Sequence, residues 1–390
     1  MAVAVFISGR ADLGPLGPVL THLCAMGIEL RIVVGVGFSA DTARSALAEN
    51  GVTTANVQAI GPVLSADSVE VAASIGADLS RGCAAALDES VQALVVLGDR
   101  WELPWVVMPA VLAQVPVVHI HGGEVTEGAI DERVRHAMTK LADVHCVASA
   151  DAYDRLVQMG EQPQAVHITG APGLDRLAAA VPLDDAALGV VMGQPVTHPL
   201  ALFTYHPVTT VEIEHTVAAA VAALRATADE LGQRGGSVLV TYPGPDPGGV
   251  AMREALIEVS ASYPWVAILP ALGSHYPGTL AACDVVVGNS SSGVIEAASA
   301  QVATVDIGDR QKGRLRATSV VHVADGYETV RDALAVVLDK PSGQDVVNPY
   351  GDGKSGLRIA QVIAQVTRPA QAKRFRDIEC TKQGQGECQA

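Results

Sequence analysis

The sequence predicts an α/β protein with two Rossmann-like, doubly wound domains that face each other across a cleft. The chain has 390 residues, a length that suits two domains of roughly 150 to 200 residues each. Hydrophobic residues make up 49% of it and aromatic residues only 4%, as in layered proteins with aliphatic interiors. Short apolar runs alternate with longer segments of helical period, which is the pattern of βαβ units.

The first domain is predicted to comprise residues 1–180. Its predicted strands are short apolar runs that end in polar residues: Ala2–Ser8, Leu30–Val36, Ala93–Leu97, Val115–His121, Val144–Ala148 and Ala165–Thr169. Helices are predicted after the first three of these runs, up to Leu23, over Asp41–Glu49 and over Trp101–Ala113. Because a helix or loop follows each strand, the sheet is expected to be parallel.

The second domain, residues 195–350, is predicted to follow a linker in the Pro- and Asp-containing stretch Pro182–His198. Its predicted strands are Ala201–Tyr205, Ser237–Tyr242, Val266–Leu269, Asp284–Gly288, Ala303–Ile307 and Val320–Val323. Its predicted helices are Ile213–Leu231, Val250–Tyr263, Val294–Ala300 and Thr329–Leu338. We expect a last helix within residues 355–366 to cross back to the first domain. Residues 370–390, which are polar and without periodicity, are expected to form a disordered tail.

Charge and cysteine content limit the functions open to the chain. With 26 basic and 42 acidic residues the net charge is -16, which disfavours nucleic acid as a partner. Backbone N–H groups and a few arginines can still hold a small phosphorylated ligand. The six cysteines form no CxxC pair, so we expect reduced thiols. No basic segment precedes the first apolar run, and no apolar run reaches the roughly 18 residues of a membrane span, so we expect a cytoplasmic protein without a membrane partner.

Polar residues that follow the predicted strands are candidates for a site, because ligands bind at the carboxyl ends of parallel strands. After the first strand, Ser8–Gly14 offers a glycine-bearing turn whose free N–H groups, with Arg10, suit a phosphate. A glycine turn with a surface arginine explains the same residues equally well. Asp99 closely follows the run that ends at Leu97, and a carboxylate there either caps a helix or faces a ligand.

The densest group of carboxylates lies in the acidic segment His119–Glu132, directly after a Val-rich run. Its members are Glu124, Glu127, Asp131 and Glu132. Helix capping explains the last two but not the whole group. Crowded carboxylates have pKa values that are pushed apart, which provides one acid and one base. A metal site is the alternative for the two histidines of the segment, but no recognisable distant partner completes it, so we predict no metal.

The second domain has its own candidates at strand ends. His206 follows a predicted strand, where it either packs or contacts a phosphate. The segment Gly288–Gly293 runs from a strand into a helix and offers hydroxyl and N–H groups to a diphosphate, and Glu296 follows for the ribose hydroxyls. The basic loop Gly308–Arg316 contains Arg310, Lys312, Arg314 and Arg316, although a solvated loop would have the same composition.

These motifs together resemble the hydrolysing UDP-N-acetylglucosamine 2-epimerases, which are relatives of the non-hydrolysing 2-epimerases. The residues that carry the resemblance, through about residue 366, are Gly98–Arg100, His119–Asp131, Arg135–Lys140, Gly170–Asp175, Tyr205–Thr209, Gly288–Gly293 and Gly308–Arg316. The resemblance implies the two-domain glycosyltransferase-B fold. It implies removal of the C2 proton, loss of UDP to give a glycal, and addition of water to release N-acetylmannosamine.

The resemblance also implies roles for individual residues. The implied acid/base residues are Asp99, Glu124, Asp131, Glu127, Glu132 and His206. The implied substrate and nucleotide ligands are Arg10, His121, Asp246, His275, Ser290, Ser291, Ser292, Gly293, Glu296, Arg310 and Arg314. A UDP-sugar is the expected partner, no cofactor is expected, and a homodimer or homotetramer is implied.

Three departures from the family's pattern leave the substrate open. Ser8 and Gly9 replace Gly-Thr in the first motif, Gly244 replaces an asparagine in a Pro-Asn-x-Asp element, and Trp101 replaces a smaller residue. The same chemistry on a modified hexosamine or another nucleotide sugar is therefore an alternative, as is a non-hydrolysing 2-epimerase. A glycosyltransferase has no evident need for the acidic segment, and a non-catalytic sensor would have lost it.

Overall fold

The computed structural model describes residues 1–35, 39–61, 69–126, 131–208, 210–243, 248–339, 346–374 and 376, and at residues 10 and 11 only the backbone. The described residues form two parallel sheets with helices on both faces, so the predicted fold class is confirmed. Buried aliphatic side chains fill the space between the sheets and their helices, as the composition predicts.

The first sheet has seven strands in the order β3-β2-β1-β4-β5-β6-β7. They are β1 (Ala2–Ile7), β2 (Glu29–Val34), β3 (Asn56–Ala59), β4 (Val91–Leu97), β5 (Val117–Ile120), β6 (Val144–Val147) and β7 (Val166–Ile168). Its helices are α1 (Arg10–Ala25), α2 (Ala40–Glu49), α3 (Val69–Ala86), α4 (Leu103–Leu112), α5 (Asp131–Leu141), α6 (Ala150–Gln158) and α7 (Leu174–Ala178).

A helix, α8 (Asp185–Met192), lies in the predicted linker. Asp184 caps its first turn by accepting a hydrogen bond from the amide of Ala187 at 2.8 Å. Gly193 ends it with a left-handed φ of 70°. The linker prediction missed this helix because proline and aspartate were interpreted as loop residues, whereas the aspartate is an N-cap.

The second sheet has six strands in the order β10-β9-β8-β11-β12-β13. They are β8 (Leu200–Thr204), β9 (Ser237–Thr241), β10 (Val266–Leu269), β11 (Val285–Gly288), β12 (Ala303–Ile307) and β13 (Val320–Val323). Its helices are α9 (Ile213–Gln233), α10 (Gly249–Ser260), α11 (Tyr276–Ala282), α12 (Ser291–Ile295) and α13 (Tyr327–Leu338), followed by α14 (Ser355–Ile363).

Helix α14 returns to the first domain. Asp175 on α7 accepts hydrogen bonds from the amides of Ser355 at 2.8 Å and Gly356 at 2.7 Å, so it satisfies the start of the helix. Ile359 and Ile363 are fully buried in the core of the first sheet. The chain therefore passes between the two domains twice, once near α8 and once before α14.

The residues after α14 run along the first domain. Arg368 donates a hydrogen bond to the carbonyl of Ala113 at 2.8 Å. Lys373 forms an ion pair with the buried Glu161 at 2.7 Å and donates to the carbonyl of Thr139 at 2.8 Å. Of the expected disordered tail, residues 370–374 and 376 are described and lie in this segment, and the others lie outside the described residues.

Three further predictions concern the whole chain. Within the described ranges, no helix has the length and apolar character needed to cross a membrane. The cysteines that the structure describes, Cys24, Cys83, Cys146 and Cys283, are free thiols. The described contacts belong to a single chain, so the homodimer or homotetramer stays a prediction.

Candidate active site

Each sheet has a topological switch point, where two neighbouring strands continue into connections that lead to opposite sides. In the first sheet β1 lies beside β4, and in the second β8 lies beside β11. Ligands of open parallel sheets bind outside the carboxyl ends of the strands at such points. The residues that closely follow these strands and the adjoining β5 therefore define the candidate site: Ser8, Asp99, His121, His206 and Asn289.

A buried arginine on α5, Arg135, organises the acidic side of the site. Its guanidinium donates hydrogen bonds to Asp99 through Nε at 3.0 Å and through Nη2, and to Oε2 of Glu132 at 2.6 Å. It also donates to the carbonyl of Glu124 at 2.6 Å and to the hydroxyl of Thr126 at 2.7 Å. Burial alone would lower the pKa of Arg135, and the carboxylates of Asp99 and Glu132 raise it above its usual value. No role was predicted for this residue; the available signal was an arginine on the helix that follows the carboxylates.

Glu124 lies between a histidine of its own domain and an arginine of the other. Its Oε1 is 2.5 Å from Nδ1 of His121, and its Oε2 is 3.5 Å from Nη1 of Arg314. Arg314 also contacts the hydroxyl of Thr126 at 3.5 Å. Burial alone would raise the pKa of Glu124, but His121, Arg314 and Arg135 lower it to about 2. The carboxylate is therefore ionised at neutral pH and joins the two domains across the cleft.

The backbone after β5 makes an unusual turn. His121 has a left-handed φ of 67°, a conformation that few residues other than glycine adopt. Its amide donates to the carbonyl of Cys146 at 3.0 Å. A Cβ on Gly123 would lie 2.4 Å from the carbonyl oxygen of Ala152 on α6. Glycine at this position therefore allows the chain to approach α6 closely.

Glu132 is engaged within its own domain. Its carboxylate accepts a hydrogen bond from the amide of Thr126 at 2.7 Å and pairs with Arg135 at 2.6 Å and His136 at 3.4 Å. These contacts hold the chain that leads to α5. Glu132 therefore has a structural role within its own domain.

Some predicted site residues are described only in part. Asp131 begins α5 and is partly buried. Glu127 and Asp246 lie outside the described residues. Arg10 begins α1, but its side chain also lies outside them. The predicted roles of these four residues stay predictions.

The turn after β1 uses two of its N–H groups for contacts within the protein. Asp12 accepts hydrogen bonds from the amides of Ser8 at 2.7 Å and Gly9 at 3.2 Å. Behind this turn the fully buried Glu102 accepts hydrogen bonds from the hydroxyl of Ser8 and from Nε of Arg100 at 2.7 Å. The carboxylate of Asp12 thus occupies the amides of Ser8 and Gly9, and phosphate binding by the rest of this turn with Arg10 stays a prediction.

In the second domain a buried asparagine, Asn289, connects the ends of neighbouring strands. Its side chain accepts a hydrogen bond from the amide of His206 at 2.7 Å and donates to the carbonyl of His206 at 2.9 Å. Its own carbonyl accepts from Arg310 at 3.1 Å and Gln311 at 2.9 Å. Burial and Arg310 lower the pKa of His206 to about 3, so this imidazole is neutral at neutral pH. No role was predicted for Asn289, although a side-chain amide suits this position because it both donates and accepts.

The segment between β11 and α12 makes a tight turn. A Cβ on Gly288, which has a φ of 136°, would lie 2.0 Å from the carbonyl oxygen of Thr204, so the turn requires glycine. Ser290 caps α12, and its hydroxyl is 3.4 Å from the amide and 2.9 Å from the hydroxyl of Ser292. The predicted ligands of this segment are partly or fully buried: Ser290, Ser291, Ser292 and Gly293.

Glu296, the predicted ribose ligand, accepts a hydrogen bond from the hydroxyl of Tyr276 at 2.5 Å. Burial raises the pKa of Glu296, although Tyr276, Arg176 and His121 act to lower it. His121 of the acidic segment is among the groups that lower this pKa. His275, predicted to bind the nucleotide, is exposed beside Tyr276.

The four basic residues of the basic loop have different surroundings. Arg316 donates to the buried Asp306 through Nε at 2.9 Å and Nη2 at 2.7 Å, so it anchors the loop on β12. Arg310 contacts the turn after β11, and Lys312 is exposed. Arg314 reaches the first domain. The basic residues of this loop are thus partly used for contacts within the second domain.

In the part of the chain that the structure describes, no group of three or more His, Cys, Asp or Glu side chains is arranged to hold a metal ion. His119, one of the two histidines considered as ligands, is fully buried, and burial lowers its pKa to about 3. Its Nε2 is 2.7 Å from the carbonyl of Gly98. This ring therefore supports the turn that leads to Asp99.

Comparison with known proteins adds independent findings. Residues 28–364 match the family model for UDP-N-acetylglucosamine 2-epimerase. The chain is 33% identical over 287 residues to a UDP-N,N'-diacetylbacillosamine 2-epimerase (hydrolyzing) of Legionella pneumophila, with 71% of this chain and 72% of the relative covered. It is 30% identical over 289 residues to a UDP-N-acetylglucosamine 2-epimerase of Neisseria meningitidis, with 73% of this chain and 74% of the relative covered.

A solved structure has a similar fold. The structure of UDP-GlcNAc 2-epimerase from Neisseria meningitidis bound to UDP-GlcNAc matches with a TM-score of 0.76 at 16% identity, over 94% of this chain and 100% of that chain.

Proposed function

The chain belongs to the UDP-N-acetylglucosamine 2-epimerase family, and we propose that it is a hydrolysing 2-epimerase that converts UDP-N-acetylglucosamine to N-acetylmannosamine and UDP. The observation that carries this proposal is the position of Glu124 beside His121 and opposite Arg314. Elimination of a diphosphate needs proton transfer and stabilisation of the leaving anion in one place. This arrangement supports both, because the proton-transfer groups of one domain meet a cation of the other.

The proposed reaction removes the C2 proton and expels UDP from C1, which gives a glycal, and water then adds with inversion at C2. The C2–H bond is weakly acidic, so a positioned base is essential. We propose that the acid/base group comprises Asp99, Asp131 and Glu124, with Glu124 acting together with His121 and with Arg135 fixing Asp99. Arg314 is proposed to move from Glu124 to the diphosphate when the substrate binds.

The hydrolysing branch is favoured by the segment His121-Gly-Gly-Glu124, which follows that branch of the family. The Legionella relative, at 33% identity, is also described as hydrolyzing. A non-hydrolysing 2-epimerase would keep UDP attached to the product. The two activities therefore differ in whether free UDP appears.

A UDP-linked diacetamido sugar is the second candidate substrate, because the Legionella relative acts on such a sugar. Trp101, one of the departures from the family pattern, packs against the apolar cluster formed by α3, α4 and the sheet. Its ring therefore has a structural explanation that does not involve the sugar. Gly244, the second departure, lies outside the described residues.

Incubation with UDP-N-acetylglucosamine in D2O, followed by NMR, tests the proposal. We expect free UDP and N-acetylmannosamine that carries deuterium at C2, because the proton returned to C2 comes from solvent. Deuterated UDP-N-acetylmannosamine would show the non-hydrolysing reaction instead. A parallel incubation with UDP-N,N'-diacetylbacillosamine identifies the second candidate substrate if only that sugar reacts, and two unchanged substrates would contradict the proposed function.

Replacement of Arg314 is expected to weaken nucleotide binding. Arg314→Met should raise the Kd for UDP by about 10- to 100-fold, because a hydrogen bond to a charged group contributes about 1.5–3 kcal/mol. Lys312→Met is the matched control, since Lys312 is an exposed cation of the same loop. Isothermal titration calorimetry measures both. Equal weakening in the two variants would mean that the overall charge of the loop, and not Arg314, attracts the nucleotide.

A further inference from the structure

We propose that His121 takes the proton from C2 and that Glu124 acts through it as a positioning residue. The inference rests on the proposed elimination of UDP and assigns its first step to a particular atom, Nε2 of His121. It starts from the contact of 2.5 Å between Nδ1 of His121 and Oε1 of Glu124. A carboxylate that fixes an imidazole in this way orients the ring and stabilises its protonated form.

The proton in this contact belongs to the histidine. The guanidinium of Arg314 is 3.5 Å from Oε2 of Glu124, and Arg135 donates to the backbone carbonyl of Glu124 at 2.6 Å. Two cations therefore keep the carboxylate ionised, and an ionised carboxylate only accepts hydrogen bonds. Nδ1 of His121 must be the donor, which leaves a lone pair on Nε2.

Nε2 of His121 is also better placed to accept a proton than the carboxylate. Both oxygens of Glu124 already contact cationic or donor groups, and its side chain is 9% exposed against 17% for His121. Among the residues that the structure describes, none is hydrogen-bonded to Nε2. A carboxylate held between such groups is a weak base, whereas an imidazole is matched to proton transfer near neutral pH.

The backbone supports the same assignment. His121 is held at a left-handed φ of 67°, where glycine would be unstrained. Residues other than glycine in this conformation concentrate at functional sites, where the surrounding structure maintains them. The chain keeps an imidazole at this position, directly after β5, despite the conformational cost.

The position of His121 relative to the second domain fits a base that acts on a nucleotide-linked sugar. His121 influences Glu296, the predicted ribose ligand, from across the cleft. Within the described ranges, the groups that interact electrostatically with His121 include Glu124 on the same turn, Glu296 from the second domain and His119 at the end of β5. Arg314 of the second domain is 3.5 Å from Glu124, which contacts His121, so a diphosphate held by Arg314 would lie close to this histidine.

In the proposed step, the lone pair of Nε2 forms a bond to the C2 proton. The electrons of the C2–H bond become the C1=C2 double bond, and the C1–O bond breaks with its electrons leaving on UDP. Glu124 stabilises the resulting imidazolium through Nδ1–H, and the imidazolium then releases its proton to water. Addition of water gives C1 a hydroxyl group and C2 a proton on the opposite face, which requires a second acid.

Two substitutions separate this role from a structural one. His121→Asn keeps a residue that tolerates left-handed backbone and can donate to Glu124, but it removes the basic nitrogen. We expect the rate of UDP release to fall by about 10²- to 10⁴-fold, the range for loss of a general base. The Kd for UDP, measured by calorimetry on the same protein, should be unchanged, which also shows that the variant is folded.

His121→Gly relieves the backbone and leaves room for a small base. Added imidazole should restore UDP release in proportion to its neutral form, whereas pyrazole, which has the same shape but is a far weaker base, should not. Equal rescue by both compounds, or a His121→Asn variant within about threefold of wild type, would overturn the assignment to His121. Wild-type protein that releases no UDP from either nucleotide sugar would overturn the proposed function itself.

Discussion

Glu124→Gln is expected to lower the rate of UDP release by about 10⁴-fold, the loss found when a carboxylate that orients a catalytic imidazole becomes an amide. Glutamine has nearly the same shape, but it is neutral and cannot stabilise an imidazolium on His121. The Kd for UDP should not rise, because the loss of Glu124 frees Arg314 for the diphosphate. A coupled assay for UDP and calorimetry measure the two quantities.

The matched control is Glu254→Gln, which removes an exposed carboxylate from α10 and should leave both quantities unchanged. The pH dependence distinguishes the two roles of Glu124. The pKa of Glu124 is about 2, so ionisation of Glu124 would leave the wild-type rate unchanged between pH 5 and 8, and a rate that varies in this range would indicate another base. An equal loss of turnover and UDP affinity would reassign Glu124 to binding.

Arg135→Met is expected to destabilise the protein by about 3 kcal/mol, the lower end of the cost of removing one partner from a buried ion pair. The lower end applies because Asp99 and Glu132 remain about one quarter exposed, at 25% and 23%, and can be partly hydrated after the arginine is lost. For a domain of this size the melting temperature should fall by about 6–12 °C. Turnover should also fall, since Asp99 loses the two hydrogen bonds that fix it.

Arg133→Met provides the control, because Arg133 is an exposed arginine on the same helix. Its melting temperature should stay within about 1 °C of wild type, as for most surface substitutions. Arg135→Lys keeps one charge but cannot reproduce the fork of hydrogen bonds, so an intermediate loss is expected. Scanning calorimetry measures the melting temperatures of the three variants. An unchanged melting temperature for Arg135→Met would refute the stabilising role given to this arginine.

The sequence predicted most of the fold because buried parallel strands are short apolar runs with polar ends. The predicted bounds Val266–Leu269, Ala303–Ile307 and Val320–Val323 agree with β10, β12 and β13. Helix α3 was missed, and its glycines explain why. A Cβ on Gly76 would lie 2.4 Å from the ring of Trp105, and a Cβ on Gly82 would lie 2.4 Å from a carbon of Ile60. These glycines serve contacts between distant segments, which local propensity does not reveal.

The sequence predicted which strand ends carry the residues of the candidate site, but it did not predict the contacts between those residues. Asp99 and the acidic segment can be identified from the sequence because they follow neighbouring parallel strands, whose carboxyl ends lie at one edge of the sheet. The strand pattern does not show that Asp12 accepts hydrogen bonds from the amides of its own turn. The roles of Arg135 and Asn289 also depend on neighbours far away in the chain, and spacing in the sequence contains no information about such distances.

The double passage of the chain between the domains limits how the cleft can move. One connection runs near α8, and the other precedes α14, whose start is fixed on Asp175. If both connections act as hinges, the line through them is the axis about which the domains would rotate. Opening would then be described by a single angle. A pair of spectroscopic labels placed on either side of the cleft would follow the whole motion through one distance.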